Sequence, residues 1–224
     1  MKQLPLAIAP PPDVGFDSLV VGANAQVIAH LRDLLPPAPP VYLWGPSGSG
    51  KTRLMRAAVA HRQALGEHVG WFDASDALPW SLDDSWSLVV VDDCDQLGPA
   101  HQAEAFKLFV QASSLGLLWL SGGQLPPVDL PLRDDLRSRL GWGHVFALQA
   151  LAEHETRSAL RREADRRGIV LSDEVMDYLL TRFARDLKHL MNLLDRLDEF
   201  ALSEHRHVTV PLLRKMLIET AIAP

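Results

Sequence analysis

Eight consecutive residues, Gly45-Pro46-Ser47-Gly48-Ser49-Gly50-Lys51-Thr52, have the types and spacing of a phosphate-binding loop. An apolar run, Val41-Tyr42-Leu43-Trp44, precedes them and a helical pattern follows, which is the strand–turn–helix setting such a loop requires. Glycines let backbone N–H groups close around a β-phosphate with no Cβ in the way. The helix that starts near Lys51 aims its positive end at the same phosphate. Lys51 can reach the β- and γ-phosphates as a point charge, and the Thr52 hydroxyl can ligate Mg²⁺. Downstream, Trp86-Ser87-Leu88-Val89-Val90-Val91 ends in Asp92-Asp93. An apolar strand ending in acids after such a loop is a Walker B pattern: Asp92 would hold Mg²⁺, and Asp93 would orient and deprotonate an attacking water. These residues imply a purine nucleoside triphosphate or diphosphate as ligand.

The elements that must position them follow from periodicity. A helix is expected over Ala25–Leu35, stopped by Pro36, Pro37, Pro39 and Pro40. Strands are expected at Val41–Trp44, Val69–Phe72, Trp86–Val91, Gly116–Ser121 and Val145–Leu148, with helices over Lys51–Leu65 and Ala103–Ala112. Strands alternating with helices imply a five-stranded parallel sheet covered on both faces, an α/β fold. After Ala152 the strand signal stops. Helices are expected over Glu153–Arg167, Asp173–Phe183, Asp186–Leu202, and from Thr209 or Val210 to Glu219. The domains implied are an extended tail (1–15), an α/β nucleotide-binding domain (16–150) and a small all-helical lid (151–224).

Charge and composition narrow the class. The chain of 224 residues carries a net charge of −6, which argues against a dedicated duplex-DNA binder. A single cysteine, Cys94, excludes an internal disulfide and is expected as a buried, inert thiol. No apolar run approaches the roughly 18 residues of a membrane span, so a cytoplasmic setting is expected. The nine histidines show no metal-ligand spacing. Trp44, Trp71, Trp119 and Trp142 are expected as packing residues rather than a base-stacking platform. The proline-rich start holds Gln3-Leu4-Pro5-Leu6, a polar anchor and two leucines of the kind that dock in apolar pockets of partners.

A P-loop α/β core followed by a small helical domain is the layout of the AAA+ ATPases, and three segments sharpen the resemblance. Phe16-Asp17 with Val20-Val21-Gly22 and Asn24 resembles the nucleotide-box opening of the DnaA/Hda family. Leu136-Arg137-Ser138-Arg139-Leu140-Gly141-Trp142-Gly143 is similar to that family's arginine-finger box, S-R-[FL]-x-W-G. Asp186-Leu187-Lys188-His189-Leu190 sits where the family has its sensor II segment, with Lys188 in place of the usual arginine. Gln3-Leu4-Pro5-Leu6 resembles the first half of the sliding-clamp-binding peptide of family members built from the AAA+ module alone.

The resemblance implies ADP or ATP with Mg²⁺, held by Val21, Pro46, Ser47, Gly48, Ser49, Gly50, Lys51, Thr52, Arg53 and Lys188, with the metal on Thr52 and Asp92. It implies Asp93 and Arg139 as catalytic groups, Arg139 acting in trans on ATP held by DnaA. The implied partners are DnaA and the sliding clamp (β subunit) of DNA polymerase III, contacted through Gln3, Leu4 and Leu6. DNA would then be met only through the clamp, near the nucleoid, and a homo-oligomer is compatible with the layout. Two departures, Gly123 where the family's sensor I is often an acid and Lys188 for arginine, imply a low intrinsic ATPase rate. A rival reading from the same motifs is an ATP-driven helicase loader or DNA-remodelling ATPase. That protein would hydrolyse ATP itself and would not need the Gln3 peptide.

Overall fold

Alternate residues of each central strand bury on opposite faces of one sheet, which is why those strands read as unbroken apolar runs. The computed structural model describes residues 15–183, 187–204 and 206–222. It divides into two compact units, Val14–Ala150 and Leu151–Pro224.

In the first unit the strands are β1 (Val41–Trp44), β2 (His68–Phe72), β3 (Trp86–Val91), β4 (Leu118–Gly123) and β5 (His144–Ala147). All pairings are parallel, in the order β2-β3-β4-β1-β5. The helices are α1 (Ala25–Arg32), α2 (Lys51–Ala64), α3 (Pro99–Ser114) and α4 (Asp134–Leu140). One face of the sheet sends Val41, Leu43, Leu88 and Val90 into a core with Ile28, Leu31, Leu54 and Met55 from α1 and α2. The other sends Tyr42, Val89, Val91 and Trp119 against Leu108 and Phe109 of α3 and Leu136 and Leu140 of α4. At the end of the sheet that carries the P-loop, Trp44 is in register with Gly123 on one side and Ala147 on the other.

Several bounds differ from those expected from the sequence. Helix α3 starts at Pro99, because Gly98 caps it and proline is favoured at a first helical position. Its first turn carries no apolar repeat, so periodicity alone does not mark it. Strand β4 starts at Leu118 and runs on through Gly123, since backbone pairing with β1 needs no side chain there. Helix α4 was not anticipated: its seven residues are mostly charged, with Leu136 and Leu140 as its buried positions. The buried stripe of α3 is Gln102, Ala105, Leu108, Phe109 and Ala112, and Val110 lies off it.

The second unit holds α5 (Glu153–Arg166), α6 (Asp173–Arg182), α7 (Leu187–Glu204) and α8 (Val210–Ile222). Its core is built from Leu160, Leu179, Leu190, Leu194, Leu197 and Leu213. The Ser172 side chain accepts the Val175 N–H at the start of α6, and Glu155 accepts the Ala152 N–H at the start of α5. Arg161 pairs with Asp173 at 2.6 Å, and Arg157 pairs with Asp177, tying α5 to α6.

Candidate nucleotide site and arginine surface

The glycine-rich turn leaves β1 and enters α2 at the end of the sheet where β3 delivers its acids. Gly50 has φ +94°, a conformation glycine adopts without steric cost, and the turn closes into the helix through it. A Cβ on Gly45 would stand 2.5 Å from the Leu148 carbonyl oxygen, so the turn packs directly on the chain leaving β5. Lys51 is buried, and its Nζ donates to the carbonyls of Gly45 (2.8 Å) and Pro46 (3.0 Å). Burial lowers the pKa of that ammonium, against the carboxylates of Asp93, Asp92 and Asp95, which hold it up. The buried Ser49 hydroxyl has no hydrogen-bond partner among the described residues.

Asp92 is buried at the end of β3, and its Oδ2 accepts the Thr52 hydroxyl at 2.8 Å. Burial pushes the Asp92 carboxyl above the ordinary range, the Thr52 hydrogen bond pulls it back, and Asp93 pushes it up again. Asp93 is exposed and takes the left-handed conformation at φ 45°, ψ 49°, where aspartate is tolerated better than most side chains. Its N–H donates to Asp92 Oδ1 at 2.9 Å. These residues fit a bound nucleotide and its metal. The turn lacks Cβ atoms where a phosphate would approach, the lysine is held by two carbonyls that a phosphate could replace, and a hydroxyl–carboxylate pair stands at the start of α2.

Of the other residues singled out by sequence, Val21 is exposed and precedes the turn that opens α1. Arg53, in the first turn of α2, donates to the Ser18 carbonyl at 3.3 Å. Lys188 lies in α7, but its side chain is outside the described residues, as are Gln3, Leu4 and Leu6. Cys94 is buried, and burial pushes its thiol pKa up. No group of three or more His, Cys, Asp or Glu residues that could hold a metal occurs among the described residues.

A second surface forms on α3 and α4. Phe106, Asp135, Ser138, Arg139 and Trp142 line a cavity of about 330 Å³. Trp142 corrects an expectation: it is 69% exposed and not a packing residue, because α4 ends at Leu140 and the chain turns outward. The Arg139 guanidinium lies over its ring, 5.5 Å from the centroid. Arg133 and Arg137 are paired with Asp135 (2.7 Å) and Asp134 (2.6 Å), whereas Arg139 makes no ion pair among the described residues.

The lid domain of Hda matches residues 153–217 as a family model. An uncharacterized protein of Haemophilus influenzae is 32% identical over 229 residues, covering 96% of this chain and 98% of that protein. The chain belongs to the Hda/DnaA family. Domain III of DnaA from Thermotoga maritima shares the fold, with a TM-score of 0.78 at 18% identity over 95% of this chain and 98% of that one. AMPPCP-bound DnaA from Aquifex aeolicus has a TM-score of 0.67 at 20% identity, over 84% of this chain and 65% of that one. Within the Hda/DnaA family, then, the α/β unit is the AAA+ core and the helical unit is the lid. No helix of the described residues is long and apolar enough to cross a membrane.

Sequence reasoning did not single out three contacts of this site. Asp95, three residues after Asp92, accepts the Gln124 N–H at 2.9 Å. Tyr42, on β1, donates its hydroxyl to the Leu125 carbonyl at 3.0 Å. Asn24 donates to the Gln149 carbonyl at 2.9 Å and accepts the Gln149 N–H at 3.0 Å. Each joins segments distant in the chain, so local spacing carries no signal for any of them.

Proposed function

We propose that this chain is a nucleotide-binding regulator of replication initiation that, held by the DNA-loaded sliding clamp, stimulates hydrolysis of ATP bound to DnaA and so inactivates the initiator. The observation that carries the reading is Arg139, an exposed arginine with no acidic partner among the described residues, on a helix whose neighbouring arginines are paired. A surface guanidinium with no acidic partner, stacked only on an aromatic ring, can engage a phosphate on another protein through its planar fork of N–H donors. Within the family's S-R-[FL]-x-W-G box this residue is the arginine finger, and such fingers are worth roughly 10³–10⁵ in rate in related nucleotidases.

The turn from Pro46 to Thr52, with Val21 and Arg53 near it, would hold ADP or ATP in this chain's own site. Thr52 and Asp92 would hold Mg²⁺, which when bound neutralises charge on the phosphate oxygens. Asp93 would accept a proton from water. Gln3, Leu4 and Leu6 would dock on the clamp, and contact with DNA would come only through it.

The test is hydrolysis of DnaA-bound ATP with this protein added, with and without clamp loaded on DNA. The expected result is stimulation that requires loaded clamp, falls by roughly 100-fold or more in Arg139→Ala, and is lost on deleting residues 3–6. If the DnaA rate does not move while this protein hydrolyses ATP alone, the reading fails and an ATP-driven loader or remodeller replaces it.

A further inference from the structure

The segment between β4 and α4 is fastened to the nucleotide site at its start and to the arginine-bearing helix at its end. At the start, the Gln124 N–H donates to Asp95 Oδ1 at 2.9 Å, and the Leu125 carbonyl accepts the Tyr42 hydroxyl at 3.0 Å. Tyr42 belongs to β1, the strand that runs into the glycine-rich turn, and Asp95 follows the acids Asp92 and Asp93. The second Asp95 oxygen accepts the Gln96 amide at 2.9 Å, which fixes the carboxylate's orientation. Gly123 has no side chain to intervene: a Cβ there would stand 2.3 Å from the Tyr42 hydroxyl and 3.0 Å from Asp95 Oδ1.

At the other end, Pro126 and Pro127 stiffen the segment by fixing φ, and Pro127 lies against Gly141, whose absent Cβ would sit 3.2 Å from it. Gly141 closes α4 by donating to the Arg137 carbonyl at 3.2 Å, and the Trp142 N–H donates to the Arg139 carbonyl at 3.2 Å. The turn after β3 is thus joined to the end of α4 through one hydrogen bond, two prolines and one close packing contact. The Asp95 carboxylate is also one of the three whose charge acts on Lys51, which places it within electrostatic reach of the cradle.

We propose that Asp95 is a positioning residue that links this chain's own nucleotide site to the presentation of Arg139. The proposal rests on the reading that the Gly45–Thr52 turn holds a nucleotide and that Arg139 acts on a partner. It assigns the bound nucleotide a regulatory role: occupancy at the turn sets the order of the α4 end through the Asp95–Gln124 bond. Coupling between the two sites is read directly, as a nucleotide-dependent change at the far one.

The experiment is amide hydrogen exchange of the full-length chain with and without Mg·ADP, followed in peptides covering residues 134–142. In the wild type, ADP is expected to slow exchange there by roughly threefold or more. Asp95→Ala, assayed at an ADP concentration that saturates it, is expected to lose that effect at 134–142. Asp95→Asn keeps an acceptor for the Gln124 N–H and is expected to retain it. Tyr42→Phe, which removes only the hydroxyl on the other side of the segment, serves as a second variant and is expected to weaken the effect. The proposal is overturned if wild-type exchange at 134–142 is indifferent to ADP, or if Asp95→Ala responds as the wild type does. It is overturned equally if Asp95→Ala loosens the whole chain, since Asp95 is then a structural residue alone. Failure of the wild type to bind ADP, by contrast, would overturn the nucleotide-site reading itself.

Discussion

Thr52 Oγ1 donates a 2.8 Å hydrogen bond to Asp92 Oδ2, so the first turn of α2 and the end of β3 share one proton at the point where a metal would sit. The pair holds the buried carboxylate against the start of α2. Asp92 keeps a raised pKa because burial outweighs that bond. A carboxyl whose folded pKa is raised binds its proton more tightly folded than unfolded. Stability from this group is therefore greatest at low pH and falls as the pH climbs from the ordinary value of 3.8 through the folded one. Asp92→Asn is expected to raise the melting temperature of the nucleotide-free protein at neutral pH and to flatten its decline with rising pH. The same variant is expected to weaken Mg²⁺-dependent nucleotide binding by roughly tenfold or more. Thermal melts across pH, paired with nucleotide titrations with and without Mg²⁺, check both halves.

Asn24 and Gln149 exchange two hydrogen bonds, closing the chain that leaves β5 onto the segment before α1. The chain beside that clasp is also where Gly45 packs on the Leu148 carbonyl. Asn24→Ala is expected to cost about 1–2 kcal/mol in chemical denaturation, the value of two partly exposed hydrogen bonds. A loosened wall beside Val21 is also expected to weaken nucleotide affinity several-fold, which a titration with a fluorescent ADP analogue would detect.

Gly123 and Tyr42 exclude each other's growth. Gly123→Ala places a methyl group against the Tyr42 hydroxyl and is expected to cost about 1–3 kcal/mol. Tyr42→Phe loses one hydrogen bond and is expected to cost about 1 kcal/mol. The double variant is expected to be more stable than the sum of the two losses, with a coupling of about 1 kcal/mol or more. Additive losses in a denaturation cycle would show that the two positions do not compete for one space.

His30 sits on α1 with its ring 4.6 Å from that of His144 and 5.1 Å from that of Phe146, and its buried Nε2 has no hydrogen-bond partner among the described residues. Burial lowers its pKa, His144 lowers it further, and Asp33 opposes both. A histidine with a lowered folded pKa binds its proton less tightly folded than unfolded, so stability is lost as the pH falls below 6.5. His30→Phe fills the same space without the ring nitrogens. It is expected to remove part of that acid sensitivity, read as a smaller drop in melting temperature between pH 7 and pH 5.5.

The fold was legible because its signals are local. The runs Val41–Trp44 and Trp86–Val91 bury alternately on both faces, and the glycine-rich turn stands between a strand and a helix. Helix α4 was hidden because a short, charged helix with two buried leucines has too few turns to display a period. The placement of Lys51 and Thr52 at the start of α2 followed from the glycine-rich spacing before them. The Asp95–Gln124 and Asn24–Gln149 contacts span 29 and 125 residues, and nothing within either segment points to the other. Trp142 was misjudged for a related reason: indole is mostly buried in proteins, and only the outward turn after Leu140 puts this one at the surface.

The strand order has a consequence for synthesis. Among the described residues, strand β1, which leads into the glycine-rich turn, pairs with β4 and β5, and these span Leu118–Gly123 and His144–Ala147. A ribosome adding roughly 5–20 residues per second needs about 4–20 s to pass from Trp44 to those strands. Throughout that interval the nascent chain carries the whole phosphate-binding motif on a strand with no neighbour to hold it. Residues 134–142 are translated before β5, so the arginine surface exists as polypeptide before the cradle can close. A fragment stopping short of Leu118 would therefore keep every residue of the motif and lack the scaffold that gives it shape.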